Sequence, residues 1–132
     1  MRIRLAAFAV AALLAPAIVQ AADLTPVDFV NRHLAAAGKG DVDAIVADYA
    51  DNAVLLTAGK ATQGKAAIRA NFAAMLGPGA PKTNLKPIKI WSAGDVGFVS
   101  WEAGPVKGAD SFLIHDGKIV AQAVFIGEAV PQ

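Results

Sequence analysis

The sequence predicts a single α+β domain in which helices come first and a meander of strands follows. Two observations carry that prediction. Before Gly77 the apolar residues recur at helical spacing, and after Leu85 they alternate with a period of two. Between them, Gly77-Pro78-Gly79-Ala80-Pro81 interrupts any regular element. Helices segregated from a run of short strands pack onto one face of a mainly antiparallel sheet. No internal repeat and no second composition boundary divides the chain.

The N-terminal 21 residues read as a leader rather than part of the fold. Met1-Arg2-Ile3-Arg4 is a basic start, Leu5 to Val19 is apolar, and Val19-Gln20-Ala21 places small residues where a signal peptidase cuts. The apolar run is short of the ~20 residues needed to span a bilayer, and Pro16 interrupts it. The expectation is export to a periplasm or beyond, with residues 22–132 as one mature domain and no membrane attachment after cleavage.

Without Arg2 and Arg4, the 12 basic residues become 10 against 11 acidic ones, a net charge of −1. No basic tail or stripe remains for nucleic acid. The chain has no cysteine, so neither a disulfide nor thiolate chemistry is available and packing alone holds the fold.

Along the mature chain, Thr25 caps a helix with Pro26 in its first turn and Asp28 completing a capping box; Gly38 and Gly40 end it. Asp41 caps a second helix whose apolar face is Val42, Ile45, Val46 and Tyr49. Ala53 to Thr57 reads as a strand and Ala58-Gly59 as a turn. Gly64 opens a third helix carrying Ile68, Phe72 and Met75 or Leu76. Four strands are then expected at Leu85–Trp91, Val96–Glu102, Ala109–His115 and Lys118–Ile126. Ser92 to Asp95, Gly104-Pro105 and the hairpin signal Asp116-Gly117 separate them.

Several apparent motifs fail on chemistry. Gly59-Lys60-Ala61-Thr62-Gln63-Gly64-Lys65-Ala66 approaches a phosphate-binding loop, but Ala66 replaces the hydroxyl that would reach magnesium. The two histidines, His33 and His115, have no metal-ligand spacing, and no metal or other cofactor is called for. His115, beside Asp116-Gly117, reads as an exposed strand end. Ser100 and Ser111 lack the glycines of a nucleophile elbow.

Gly40-Asp41-Val42-Asp43-Ala44-Ile45-Val46, with Tyr49-Ala50-Asp51-Asn52-Ala53, resembles the helix-to-strand signature of ketosteroid isomerases. So do Gly64 to Arg69, Asp110-x-Phe112, and Gly117-Lys118-Ile119-Val120 through Gly127-Glu128. The wider group is the nuclear transport factor 2-like, cystatin-like fold, which includes SnoaL-like polyketide cyclases. The resemblance implies a cone of three helices against a curved, mainly antiparallel sheet enclosing a cavity. It places the family's catalytic tyrosine on His33, its oxyanion-hole aspartic acid on Asp110 and its base on Thr57. In that family an acid kept neutral by its apolar site donates a hydrogen bond while a second aspartate moves the proton. A threonine cannot do the second task.

The resemblance also implies that Phe98, Ser100 and Glu102 face the cavity while Val99 and Trp101 point outward. Phe72, Phe112, Gln122, Val124 and Ile126 would complete the lining. Glu102 is then either a substitute base or a strand-end residue reaching water. Asp110 is either a pocket group or a surface and structural charge. His33 is either a donor or a satisfied histidine on a half-buried helix face.

Three functions follow. One is an exported domain binding a hydrophobic or carbonyl-bearing small molecule in an apolar pocket without the isomerase base. Another is an isomerase or cyclase acting beside a carbonyl through His33, Asp110 and a substitute base. The third is a non-catalytic interaction module. A homodimer through the sheet, with Trp101 contributing, is expected with any of them.

Overall fold

The computed structural model describes residues 23–81 and 84–127, so the leader expected at residues 1–21 lies outside the described residues. Helices α1 (Pro26–Lys39), α2 (Val42–Ala47) and α3 (Lys65–Leu76) pack on one face of a six-stranded sheet. The strands are β1 (Tyr49–Thr57), β2 (Lys60–Gln63), β3 (Lys86–Ala93), β4 (Val96–Ala103), β5 (Val106–His115) and β6 (Lys118–Gly127). Their order is β2-β1-β6-β5-β4-β3, antiparallel throughout except where β1 runs parallel to β6.

The helix ends follow the sequence signals. The Thr25 hydroxyl accepts from the Asp28 backbone N–H at 3.2 Å, and Gly40 ends α1 in the left-handed region at φ 67°. Asp41 caps α2 by accepting from the Ala44 N–H at 3.0 Å. Two differences stand out. Tyr49 opens β1 instead of closing the second helix, because α2 stops at Ala47. Lys60–Gln63 forms a short edge strand that its polar sequence hid.

In an antiparallel pair, residues directly opposite each other share a face. Three rows therefore run across the helix-side face. The first is Gly97, Phe112, Gln122 and Leu55, all buried. The second is Val99, Asp110, Val124 and Thr57, of which only Val99 is fully buried. The third is Trp101, Gly108 and Ile126, and Ile126 is 62% exposed. The helices thus close one end of this face and leave the other open. Gly97 lets α1 approach, since a Cβ there would lie 2.6 Å from Val30 Cγ2. Phe29, Val30, Ile45, Tyr49, Ile68, Phe72 and Phe112 fill the closed end.

This register corrects the expected facing of β4. Phe98, Ser100 and Glu102 lie on the outer face, and Val99 and Trp101 lie on the helix-side face. Both faces of Val96–Ala103 carry large apolar residues, so alternation alone does not choose between them. The tight β4–β5 hairpin, which pairs Ala103 with Val106, sets the parity. Glu102 is therefore removed as a substitute base, and Trp101 as an outward dimer contact.

A polar cluster under the helices as the candidate site

Asp110, Trp101, Gln122, Tyr49, Asp48 and His33 form the polar interior, with Arg32 at its edge. Asp110, on β5, is half-buried and held at both oxygens. The Trp101 indole N–H donates to Oδ1 at 2.8 Å, and the Gln122 amide donates to Oδ2 at 3.0 Å. The Tyr49 hydroxyl in turn donates to Gln122 Oε1. Gly108 makes the first of these contacts feasible, because the Trp101 ring occupies the space a Cβ there would fill.

The second half of the cluster lies at the α2–β1 junction. Asp48 accepts from His33 Nδ1 at 2.9 Å and from the Arg32 guanidinium at 2.6 Å. The His33 ring meets Phe112 and Tyr49 edge-on, with centroids 5.5 and 5.7 Å away. The backbone of Asp48 is tied to the sheet as well, its carbonyl accepting from the Ile119 N–H at 2.8 Å. Among the described residues no buried side-chain nitrogen or oxygen lacks a partner.

The electrostatics divide the two carboxylates. Burial pushes the Asp110 carboxyl up, against the Trp101 and Gln122 hydrogen bonds and the nearby His33. Burial acts the same way on Asp48, but the His33 hydrogen bond and charge, together with Arg32, outweigh it and hold the group below its ordinary value. The Tyr49 hydroxyl is pushed well above its usual range, first by burial and then by the charges of Asp110 and Asp48.

Of the residues expected at the site, His33, Asp110, Phe112 and Gln122 come together, and Phe72 packs on Tyr49 at their base. Thr57 and Val124 share the row of Asp110 toward the open end. Phe98, Ser100 and Glu102 do not take part. Asp48, Tyr49 and Trp101 were missed. The signal for Trp101 was a glycine across the hairpin. Asp48 and Tyr49 were hidden by reading that segment as helix.

Two solvent-open depressions, of about 410 and 360 Å3, are lined by Lys60 to Gln63 with α3, and by Leu56 to Gly59 with Ala123 to Ile126. His33 and Asp110 line neither. Among the described residues no three His, Asp or Glu side chains converge to hold a metal.

Three helices on a six-stranded mixed sheet with this strand order define a nuclear transport factor 2-like, cystatin-like domain. The SnoaL-like domain family matches residues 30–122, and the chain belongs to that family. Similar solved structures include an NTF-2 like protein of unknown function from Burkholderia xenovorans, 19% identical with a TM-score of 0.70, covering 81% of this chain and 86% of that one. A proposed polyketide cyclase from Sinorhizobium meliloti is 27% identical with a TM-score of 0.65, covering 77% and 95%. An LEH-like epoxide hydrolase from Mycobacterium tuberculosis is 19% identical with a TM-score of 0.63, covering 77% and 82%. No curated protein matches the chain.

Proposed function

We propose that this domain binds a small, largely apolar molecule carrying a carbonyl or phenol oxygen at the open end of the helix-side face. Asp110, held in place by Gln122, is the polar anchor, and Trp101, Val124 and Ile126 are the apolar walls. The observation that carries this is the gradient of burial across the three rows. The face is sealed at Phe112 and Gln122, half-covered at Asp110 and open at Ile126. A purely structural interior would more simply be apolar, since each buried polar group must be satisfied. Pockets of this kind orient an apolar ligand with a few polar groups. Calorimetric titration of 4-bromophenol into wild type and Asp110→Leu tests it. Binding weakened about tenfold or more in the variant supports the reading, in line with a hydrogen bond to a charged group. Equal affinity refutes it.

A second reading, chemistry beside a carbonyl, draws on the likeness to the Sinorhizobium meliloti protein. In that reading Asp110 and His33 stabilise developing enolate charge. Thr57 still offers no base.

We also propose a homodimer through the outer sheet face. Leu56, Trp91, Leu113 and Phe125 are all exposed there, Phe125 at 63%. Trp91 stacks on Phe98 on the same face, with ring centroids 5.3 Å apart. These residues replace Trp101 as the apolar contact. Phe125→Glu is expected to shift a sedimenting dimer to monomer, and a wild-type monomer at high concentration refutes the assembly.

A further inference from the structure

His33 and Asp48 do more than the binding reading requires. Both are almost fully buried, His33 at 3% and Asp48 at 7% exposure. A buried carboxylate held against an imidazole is a costly way to fix a helix, because desolvation of the charge offsets much of the attraction. Its geometry has a chemical consequence. Asp48 is ionised by its contacts with Arg32 and His33, so it can only accept, and the facing His33 Nδ1 must carry a hydrogen. In a neutral imidazole the lone pair then resides on Nε2. Among the described residues Nε2 has no hydrogen-bond partner. Edge-on contacts with Tyr49 and Phe112 fix the ring plane. The groups that face the imidazole are Arg32 from its own helix, Asp48 from the α2–β1 junction, Tyr49 from β1 and Asp110 from β5.

We propose that His33 Nε2 is a proton acceptor for a ligand with an acidic O–H, and that Asp48 is its positioning residue. This rests on the reading that a ligand docks beside Asp110. In the step, the ligand's O–H bond breaks and its proton bonds to Nε2. The electron pair stays on the ligand as phenolate, and Asp48 stabilises the imidazolium. No oxidant or reductant is involved.

Two measurements on the full chain test the proposal. Nitrogen-15 NMR of the free protein reads the tautomer of His33, with His115→Gln assigning the signals. The Nδ1–H form is expected, and either the Nε2–H form or the doubly protonated form overturns the proposal. The second measurement uses 4-nitrophenol, whose phenolate absorbs apart from the neutral phenol. Calorimetry counts the bound molecules, so absorbance gives the phenolate fraction per bound ligand. That fraction is expected to collapse in His33→Gln and to fall about tenfold in Asp48→Asn, the scale of one charge-assisted hydrogen bond. Asp48→Glu should restore part of it, and His115→Gln should leave it unchanged. Circular dichroism checks that each variant folds. If the phenol binds and His33→Gln keeps the wild-type phenolate fraction, the base assignment fails and the docking reading stands. If the phenol does not bind, the docking reading fails and the tautomer alone decides the dyad.

Discussion

Replacing Gly108 by alanine adds one methyl group at the position on which the Asp110 anchor depends. Its Cβ would lie 2.3 Å from Trp101 Cζ2 and 2.6 Å from the Phe125 carbonyl oxygen. The first contact can be relieved only by moving an indole that is buried at 6% exposure. The second is backbone of the neighbouring strand and cannot rotate away. Gly108 does not occupy the left-handed region, so alanine adds no backbone strain. By limiting the unfolded chain it contributes about 0.4–1 kcal/mol of stability. Against this stand overpacking, about 1–3 kcal/mol, and loss of the Trp101 hydrogen bond to a carboxylate, about 1.5–3 kcal/mol. The costs win, and a net loss of about 2–4 kcal/mol is expected. For a domain of this size that lowers the melting temperature by roughly 10–20 °C. Urea unfolding gives the free energy, and the indole N–H resonance of Trp101 reports the bond to Asp110. Stability within about 0.5 kcal/mol of wild type, the ordinary range for a neutral surface change, with an unmoved Trp101 resonance would refute the packing argument.

The two buried carboxylates should give stability opposite pH dependences. Asp110 is raised by burial, so its contribution is fully present below the ordinary carboxylate value of 3.8 and is lost as pH rises through the higher folded value. Asp48 is lowered, so its contribution is present above 3.8 and is lost as pH falls through the lower folded value. Urea midpoints over roughly pH 3–7 should therefore show Asp110→Asn gaining on wild type as pH rises, and Asp48→Asn converging on it as pH falls. Parallel curves would contradict both assignments. Negligible turnover of a β,γ-unsaturated steroid ketone is expected, because a threonine hydroxyl cannot act as the base, whose loss typically costs about 10²–10⁴-fold. Thr57→Asp should add measurable turnover, and efficient wild-type turnover would show that another group supplies the base. Intact mass of exported protein should correspond to a chain beginning at or near Ala22, and an intact Met1 chain in membranes would favour an anchor.

The fold was legible because its signals were local and redundant. Thr25, Pro26, Gly40 and Asp41 act within one turn of chain, and Asp116-Gly117 fixes its hairpin without outside help. Facing was legible only where one side of a strand was distinctly apolar. β5 and β6 were placed correctly, since Asp110, Phe112, Gln122 and Val124 share the helix-side face. β4 was not, because Phe98 and Trp101 are equally apolar and its parity is set by pairing with β5. The site was legible in half. His33 and Asp110 followed from the resemblance, whereas the His33–Asp48 contact joins residues 15 apart across a turn between helices. The Tyr49–Gln122 contact joins residues 73 apart. No short-range pattern encodes such meetings.

A crystal structure of the protein soaked with 4-bromophenol tests the central claim most directly, because the anomalous signal of bromine locates the ligand independently of any assumed pose. One principal bromine peak is expected on the helix-side face, between Trp101, Val124 and Ile126, with the phenol oxygen within hydrogen-bond reach of Asp110. A peak confined to the outer sheet face near Phe125 and Leu56, or no peak in a soaked crystal, would contradict it.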